Sequence, residues 1–323
     1  MEIDGKEVKC QGATAGLQPC NQQTLLKLVC CAALLSFSVA STLFTEASKN
    51  DDGSYPYNTF MIPCAVEGFK LCVSSFILLL TRLRERESSG FSFTVPRFLS
   101  FALPAFCYFV SNNCMFYIIR DLGPAAFQIL NNLKVLSTGI LMRVFLNRQL
   151  SLVQWKALFI LVIGSMVSQL GGGETALAPR FTPYMYVFIN SFSAGAGGVL
   201  SEKLLKGTGG SSDSIHWQNA QLYFFGLAFG IISSFEHLNH TGALFRGFNE
   251  WAVATVVSLS ICGLLVSFVL KYLDNFAKCF IQAVSMLLVA VIHAGTRQEM
   301  VSLQLFLAIC LVCLAIDQYN LSR

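Results

Sequence analysis

Residues 155–170 read Trp-Lys-Ala-Leu-Phe-Ile-Leu-Val-Ile-Gly-Ser-Met-Val-Ser-Gln-Leu, a run that is apolar on every face of a helix. A barrel strand would alternate over about ten residues, which this run does not. Hydrocarbon offers no water to unpaired backbone groups, so such a run must close its own hydrogen bonds as a helix. Similar runs fill the chain on either side. With about 20 apolar residues needed to cross roughly 30 Å of hydrocarbon, ten spans are predicted. They cover 24–45, 58–80, 97–118, 124–146, 152–170, 182–204, 217–234, 251–272, 276–293 and 301–318. Of 323 residues, 54% are hydrophobic and 12% charged, and the mean hydropathy is +0.59, which excludes an ordinary soluble domain. The connections are too short to hold a domain of their own. The expected fold is therefore an all-α membrane protein with about ten transmembrane helices.

Orientation follows from where lysine and arginine flank the spans. With both termini cytosolic, Arg82, Arg84, Arg86, Arg97, Arg143, Arg148, Lys203, Lys206, Lys271 and Arg323 fall on the cytosolic side. Lys49, Arg120, Arg180, Arg246 and Arg297 fall opposite. The bias favours cytosolic termini. All twelve cysteines lie in the N-terminal tail or in predicted spans, which argues against a lumenal disulfide framework. Cys310 and Cys313 form a CxxC inside an apolar helix without a second ligand pair, so no metal or other cofactor is expected. Asn239-His240-Thr241 is a glycosylation sequon in a predicted lumenal loop, making Asn239 the candidate acceptor.

A faint repeat divides the chain. Asn147-Arg148-Gln149-Leu150-Ser151 with Gln154 precedes span five, and Thr296-Arg297-Gln298-Glu299 with Ser302 and Gln304 precedes span ten. Halves of five spans must insert in opposite directions, so 24–170 and 182–318 would form two inverted five-helix repeats. A 1–23 tail and a short 319–323 end would flank them, in the plan of many secondary transporters. That plan puts a substrate site near the midplane, where ionisable groups are costly unless paired or wetted. Glu67 and Lys70 in span two stand at i and i+3 and can neutralise each other. Lys134 in span four has no acidic residue within a helical turn. Lys278, at the start of span nine, has Asp274 at i−4 as an available partner. Asn112, Phe127, Gln128, Asn219 and Tyr223 stand near these charges. Cations for phosphate, amides for a base edge and aromatic faces for stacking are what a nucleotide needs; interhelical hydrogen bonding is the structural alternative for the amides.

These residues resemble the nucleotide-sugar transporters of the drug/metabolite transporter superfamily, in the group carrying UDP-galactose, UDP-N-acetylglucosamine and CMP-sialic acid. Phe127-Gln128-Ile129-Leu130-Asn131-Asn132-Leu133-Lys134 is similar to the group's Tyr-Gln-x5-Lys motif. Leu146-Asn147-Arg148-Gln149-Leu150-Ser151-Leu152-Val153-Gln154-Trp155 is similar to its Leu-x-Arg-x-Leu-Ser-x-x-Gln-Trp stretch. Gly263 to Ser267, then Lys271-Tyr272-Leu273-Asp274-Asn275 and Lys278, resembles Gly-Leu-x-x-Ser-x4-Lys-Tyr-x-Asp-Asn-x-x-Lys. Glu202-Lys203 after the Gly195 to Gly198 cluster also fits. The resemblance implies exchange of a nucleotide sugar for a nucleoside monophosphate, with Lys134 and Lys278 on the phosphates. Gln128, Asn219, Tyr223 and Asn112 would line the nucleotide pocket. Implied partners are those two ligands and the bilayer, with a homodimer open and no nucleic acid; the implied location is the Golgi membrane, or else the endoplasmic reticulum.

The chain departs from the pattern in three places. Phe127 replaces the tyrosine, Leu200 stands where many members carry an aromatic residue, and His293 to Glu299 is more polar than usual, which should shorten span nine. These departures motivate a non-transporting membrane scaffold as one rival; a broader metabolite exporter is the other. The sequence carries no HExxH, GxSxG or paired intramembrane aspartates, so an enzyme and catalytic residues are not expected.

Overall fold

The computed structural model describes residues 22–50, 55–59, 61–84, 94–168, 181–207, 214–241, 247–296 and 302–321. All regular structure among them is α-helical. The helices are α1 (Gln22–Ala47), α2 (Met61–Arg84), α3 (Val95–Ser100), α4 (Ala102–Asn131), α5 (Lys134–Leu146) and α6 (Leu152–Val167). They continue as α7 (Thr182–Lys206), α8 (Ile215–Thr241), α9 (Glu250–Tyr272), α10 (Asn275–Thr296) and α11 (Leu303–Leu321). Among the described residues, seven stretches are long and apolar enough to cross a membrane: Thr24–Ala47, Met61–Arg84, Val95–Gly123, Ile129–Leu146, Glu250–Tyr272, Asn275–Thr296 and Leu303–Leu321. The α6 helix is apolar but only 16 residues long. The length of α7 and α8 suffices, but glycine, serine and amides dilute their apolar residues, and most of those polar side chains are buried inside the protein.

Local chemistry sets the breaks. Gly123 sits at φ 82°, a backbone conformation open chiefly to glycine, and there the chain leaves one span and enters the next within α4. Between α4 and α5 the chain tightens rather than stops. Asn132, Leu133, Val135 and Leu136 each donate their N–H three residues back, a short 3₁₀ stretch around Lys134. At the end of α5, Asn147 turns left-handed (φ 51°) and the Arg148 N–H closes back on the Met142 carbonyl. Ser151 then starts α6 with a capping box: its Oγ accepts the Gln154 N–H at 3.2 Å, and Gln154 Oε1 accepts the Ser151 N–H at 3.0 Å. The polar stretch before span five is thus a stop signal followed directly by a start signal. By contrast, α10 runs on through His293 to Thr296 at 22 residues, so the polar segment does not shorten it as the sequence suggests. Ala, Gly and Thr in a last turn do not break a helix, and Thr296 Oγ1 donates back to the His293 carbonyl at 3.0 Å.

The helices pair in a regular manner. The α1 helix packs on α9 and α10, and α7 packs on α4 and α5; α2 packs on α8 and α9, and α8 also packs on α4. The α6 helix lies against α11, α5 touches α6, and α10 touches α11. The close approach of α7 depends on its glycines. A Cβ on Gly195 would stand 3.0 Å from Ser137 Oγ, and one on Gly197 3.0 Å from the Tyr108 ring. One apolar core joins α5, α6, α7, α10 and α11 around Met142, Leu158, Val199 and Phe276.

Candidate functional site

The predicted charged residues gather, among the described residues, around two cavities between the helices. The first, about 290 Å³, is walled by α2, α4, α7, α8, α9 and α10, and it collects Glu67, Lys70, Asn112, Tyr223 and Lys278. The second, about 340 Å³, lies between α1, the α4–α5 junction, α6 and α10, and holds Lys134 with Asn131, Ser165 and Cys279. Gln282 lines both.

In the first cavity, one wall is a single linked construction. Lys70 Nζ donates to Glu67 Oε1 at 2.5 Å and lies 4.3 Å from the centre of the Tyr223 ring. The Tyr223 hydroxyl pairs with Ser267 Oγ at 3.0 Å and donates to the Gly263 carbonyl at 3.3 Å. Two glycines make room for it. A Cβ on Gly263 would stand 2.6 Å from Lys70 Cδ, and one on Gly226 2.8 Å from Glu67 Oε2. The charge of Lys70 is therefore already spent on Glu67 and on an aromatic face.

Lys134 and Lys278 differ from it. Neither side chain makes a hydrogen bond or an ion pair with the described residues. The aspartate available to Lys278 in the sequence is engaged elsewhere: Asp274 Oδ1 accepts the Ala277 N–H at 2.8 Å, capping α10, and Oδ2 takes Arg148 Nη1 at 2.9 Å. A carboxylate just before a helix points back at that helix's free N–H groups, away from a side chain one turn on. Both lysines stand in the first turn of their helices, whose backbone N–H groups are bonded to preceding carbonyls around Lys134 and largely to Glu202 and Asp274 before Lys278, so the charge on offer is that of the side chains.

The remaining expected residues scatter. Asn219 is fully buried, lines neither cavity, and neither end of its amide has a hydrogen-bond partner among the described residues. Phe127 packs beside Cys114, Ile118 and Val187 at the α4–α7 contact, outside both cavities. The side chain of Gln128 lies outside the described residues. So does that of Asn239, whose backbone forms part of the last turn of α8 rather than a loop. Sequence reasoning did not single out Gln282, Tyr108 or Ser201 as lining residues. Gln282 stands one turn beyond Lys278 and Tyr108 one turn before Asn112, so helical spacing from the chosen residues would have found both.

At one end of the bundle a polar clamp joins the elements that carry these lysines. Besides Asp274, Arg148 donates through Nη2 to the Tyr319 hydroxyl at 3.3 Å. Glu202 Oε2 accepts the Asn275 N–H at 2.8 Å, and its Oε1 pairs with Lys206 at 2.6 Å; Lys206 also donates to the Leu273 carbonyl. Gly198 admits the Asn275 amide, which a Cβ there would meet at 2.5 Å. At the opposite end, His293 Nε2 approaches Glu46 Oε2 to 2.7 Å at the edge of the second cavity.

Residues 22–320 match the family model described as nucleotide-sugar transporter. CMP-sialic acid transporter 1 of Oryza sativa subsp. japonica is 32% identical over 304 residues, covering 89% of this chain and 92% of that protein. CMP-sialic acid transporter 1 of Arabidopsis thaliana is 33% identical, covering 89% and 88%. The UDP-N-acetylglucosamine transporter of Rattus norvegicus is 31% identical over 218 residues, covering 64% and 66%. A solved crystal structure aligns with 91% of this chain and 98% of its own at a TM-score of 0.69 and 14% identity, a likeness of fold.

Proposed function

This chain belongs to the nucleotide-sugar transporter family, and on that premise we propose that it exchanges a cytosolic nucleotide sugar, of the UDP-sugar or CMP-sialic acid class, for a lumenal nucleoside monophosphate by alternating access. The observation that carries this reading is the pair of ammonium groups, Lys134 and Lys278, that find no hydrogen-bond or ion-pair partner among the described residues and line two cavities sharing Gln282. A group carrying two negative charges would satisfy both lysines at once. Glu67, Lys70 and Tyr223 then form a fixed wall beside the ligand, and Asn112 offers the base an amide. Asn219 and Phe127, outside both cavities, act as packing groups. The site residues sit on a frame of ten spans in two inverted halves. The helix pairings support that plan: exchanging each of the first five spans with its counterpart five later turns the α1 contacts with α9 and α10 into those of α7 with α4 and α5.

With cytosolic termini, the Arg148–Asp274 clamp lies on the cytosolic side and the Glu46–His293 contact on the lumenal side. The protein then works in the Golgi membrane. Lys134→Ala tests the reading. Losing one charge-assisted phosphate contact should reduce nucleotide-sugar uptake into vesicles by about 10- to 100-fold while the protein still inserts. Unchanged uptake would remove Lys134 from the site.

A further inference from the structure

Asn131, one turn before Lys134, lines the same cavity, and a chain of side chains holds it from the α4–α7 contact. Ser111 Oγ donates to Asn190 Oδ1 at 2.7 Å, and Asn190 Nδ2 donates to Asn131 Oδ1 at 3.2 Å. Ser111 and Asn190 are buried, and Asn190 of α7 thereby ties together the parts of α4 on either side of Gly123. The sense of this chain is set at its first member. The Ser111 hydroxyl has no other hydrogen-bond partner among the described residues, so its hydrogen goes to Asn190, whose carbonyl oxygen must face it. The Asn190 NH₂ group then faces Asn131, which can accept only through its own oxygen. What remains of the Asn131 amide is its NH₂ group, and that bonds to no described residue. The next residue of α7 holds Lys134 in a similar way: the Ser137 hydroxyl reaches the Ser191 carbonyl at 2.7 Å and the Lys134 carbonyl at 3.0 Å. Adjacent residues of α7 thus fix both Asn131 and the first turn of α5.

Resting on the proposed transporter, we propose that Asn131 is a further substrate-binding residue, whose amide NH₂ group takes the nucleotide phosphate together with the Lys134 ammonium, and that Asn190 is its positioning residue. An ammonium alone is a point charge that any anion satisfies. A second donor one turn away on the same wall adds direction, and suits an acceptor with several oxygens, as phosphate is. The Ser111–Asn190 chain gives that donor its sign. A free amide could present either its oxygen or its NH₂ group to the cavity. With the oxygen held by Asn190, only the donor is presented, which favours a phosphate oxygen and offers nothing to a cation.

Thermal unfolding of the purified full-length protein at rising concentrations of UMP, CMP and GMP reads binding through the stabilisation that each gives. At least one of them should stabilise the wild type. Asn131→Ala should bind that nucleotide about tenfold more weakly, the scale of one hydrogen bond to a charged group. Asn131→Asp separates binding from folding. Its carboxylate still accepts from Asn190 and stands three residues before Lys134, as Glu67 does before Lys70, so the ligand-free midpoint should hold or rise. The same change removes the donor and neutralises Lys134, which should weaken binding by more than about 100-fold. Asn190→Ala should weaken binding about as much as Asn131→Ala, and the double variant no more than either alone, because Asn190 acts through Asn131; additive losses overturn its positioning role. A merely structural role for Asn131 would lower the ligand-free midpoint and leave nucleotide binding unchanged. Binding at wild-type strength by Asn131→Ala or Asn131→Asp overturns the inference while the transport reading stands. A wild type that none of the three nucleotides stabilises overturns both.

Discussion

Lys70 and Lys278 line the same cavity, yet among the described residues only the first has an acidic partner. The difference is local. Glu67 stands on the same helix face as Lys70, three residues earlier and within reach of its ammonium, whereas Asp274 is drawn to the α10 N-terminus and to Arg148. Spacing made the Glu67–Lys70 pair legible in the sequence. It could not reveal that Asp274 is occupied, because Arg148 lies 126 residues away. The same limit hid the role of Gly263, which shows only against Lys70. Gly263→Ala should force Lys70 out of line with Glu67 and Tyr223, costing about 1–3 kcal/mol as overpacking does. Thermal unfolding of the purified protein would register this as a lower midpoint, and Lys70→Ala in the same background should recover part of it. A midpoint equal to that of the wild type would mean that Lys70 moves aside freely.

At the level of elements, apolar runs marked most helices, but polarity misled where helices face one another. The α7 and α8 helices bury Asn190, Glu202, Gln218 and Asn219, so their sequences look less like membrane than their places in the bundle. Asn190 takes the Ser111 hydroxyl at 2.7 Å and donates to Asn131 at 3.2 Å, bonds that no local pattern foretells. The stretch before span five looked like half of a repeat; its structural content is a helix stop, a capping box, and an arginine delivered to α10. Arg148→Ala leaves the Asp274 carboxylate with its cap but without its cation, which should cost about 2–3 kcal/mol, less than a wholly buried pair because Arg148 keeps some exposure. A double-mutant cycle with Asp274→Asn checks it. The double variant should lose clearly less than the sum of the singles, and strict additivity would show that the pair is not coupled.

For the whole molecule, the proposed exchange needs a reason why the empty carrier would not simply leak. Two ammonium groups with no partner among the described residues line the cavities, and each costs about 2.5–3.5 kcal/mol in the membrane when neither paired nor wetted. An empty carrier that closed would dry those charges. A loaded one would close around an anion that neutralises them, so the loaded form should reorient faster by about tenfold or more per unpaired charge. Counterflow measures this directly. Vesicles preloaded with UMP or CMP should take up the matching labelled nucleotide sugar at least about tenfold faster than empty ones, by the same charge argument. Lys278→Ala should narrow that ratio as well as lower the rate, because the empty carrier then has one charge fewer to desolvate. If preloading with UMP, CMP and GMP in turn accelerates nothing while uptake persists, the lysines serve only to bind, and reorientation is governed instead by the contacts at the two ends of the bundle.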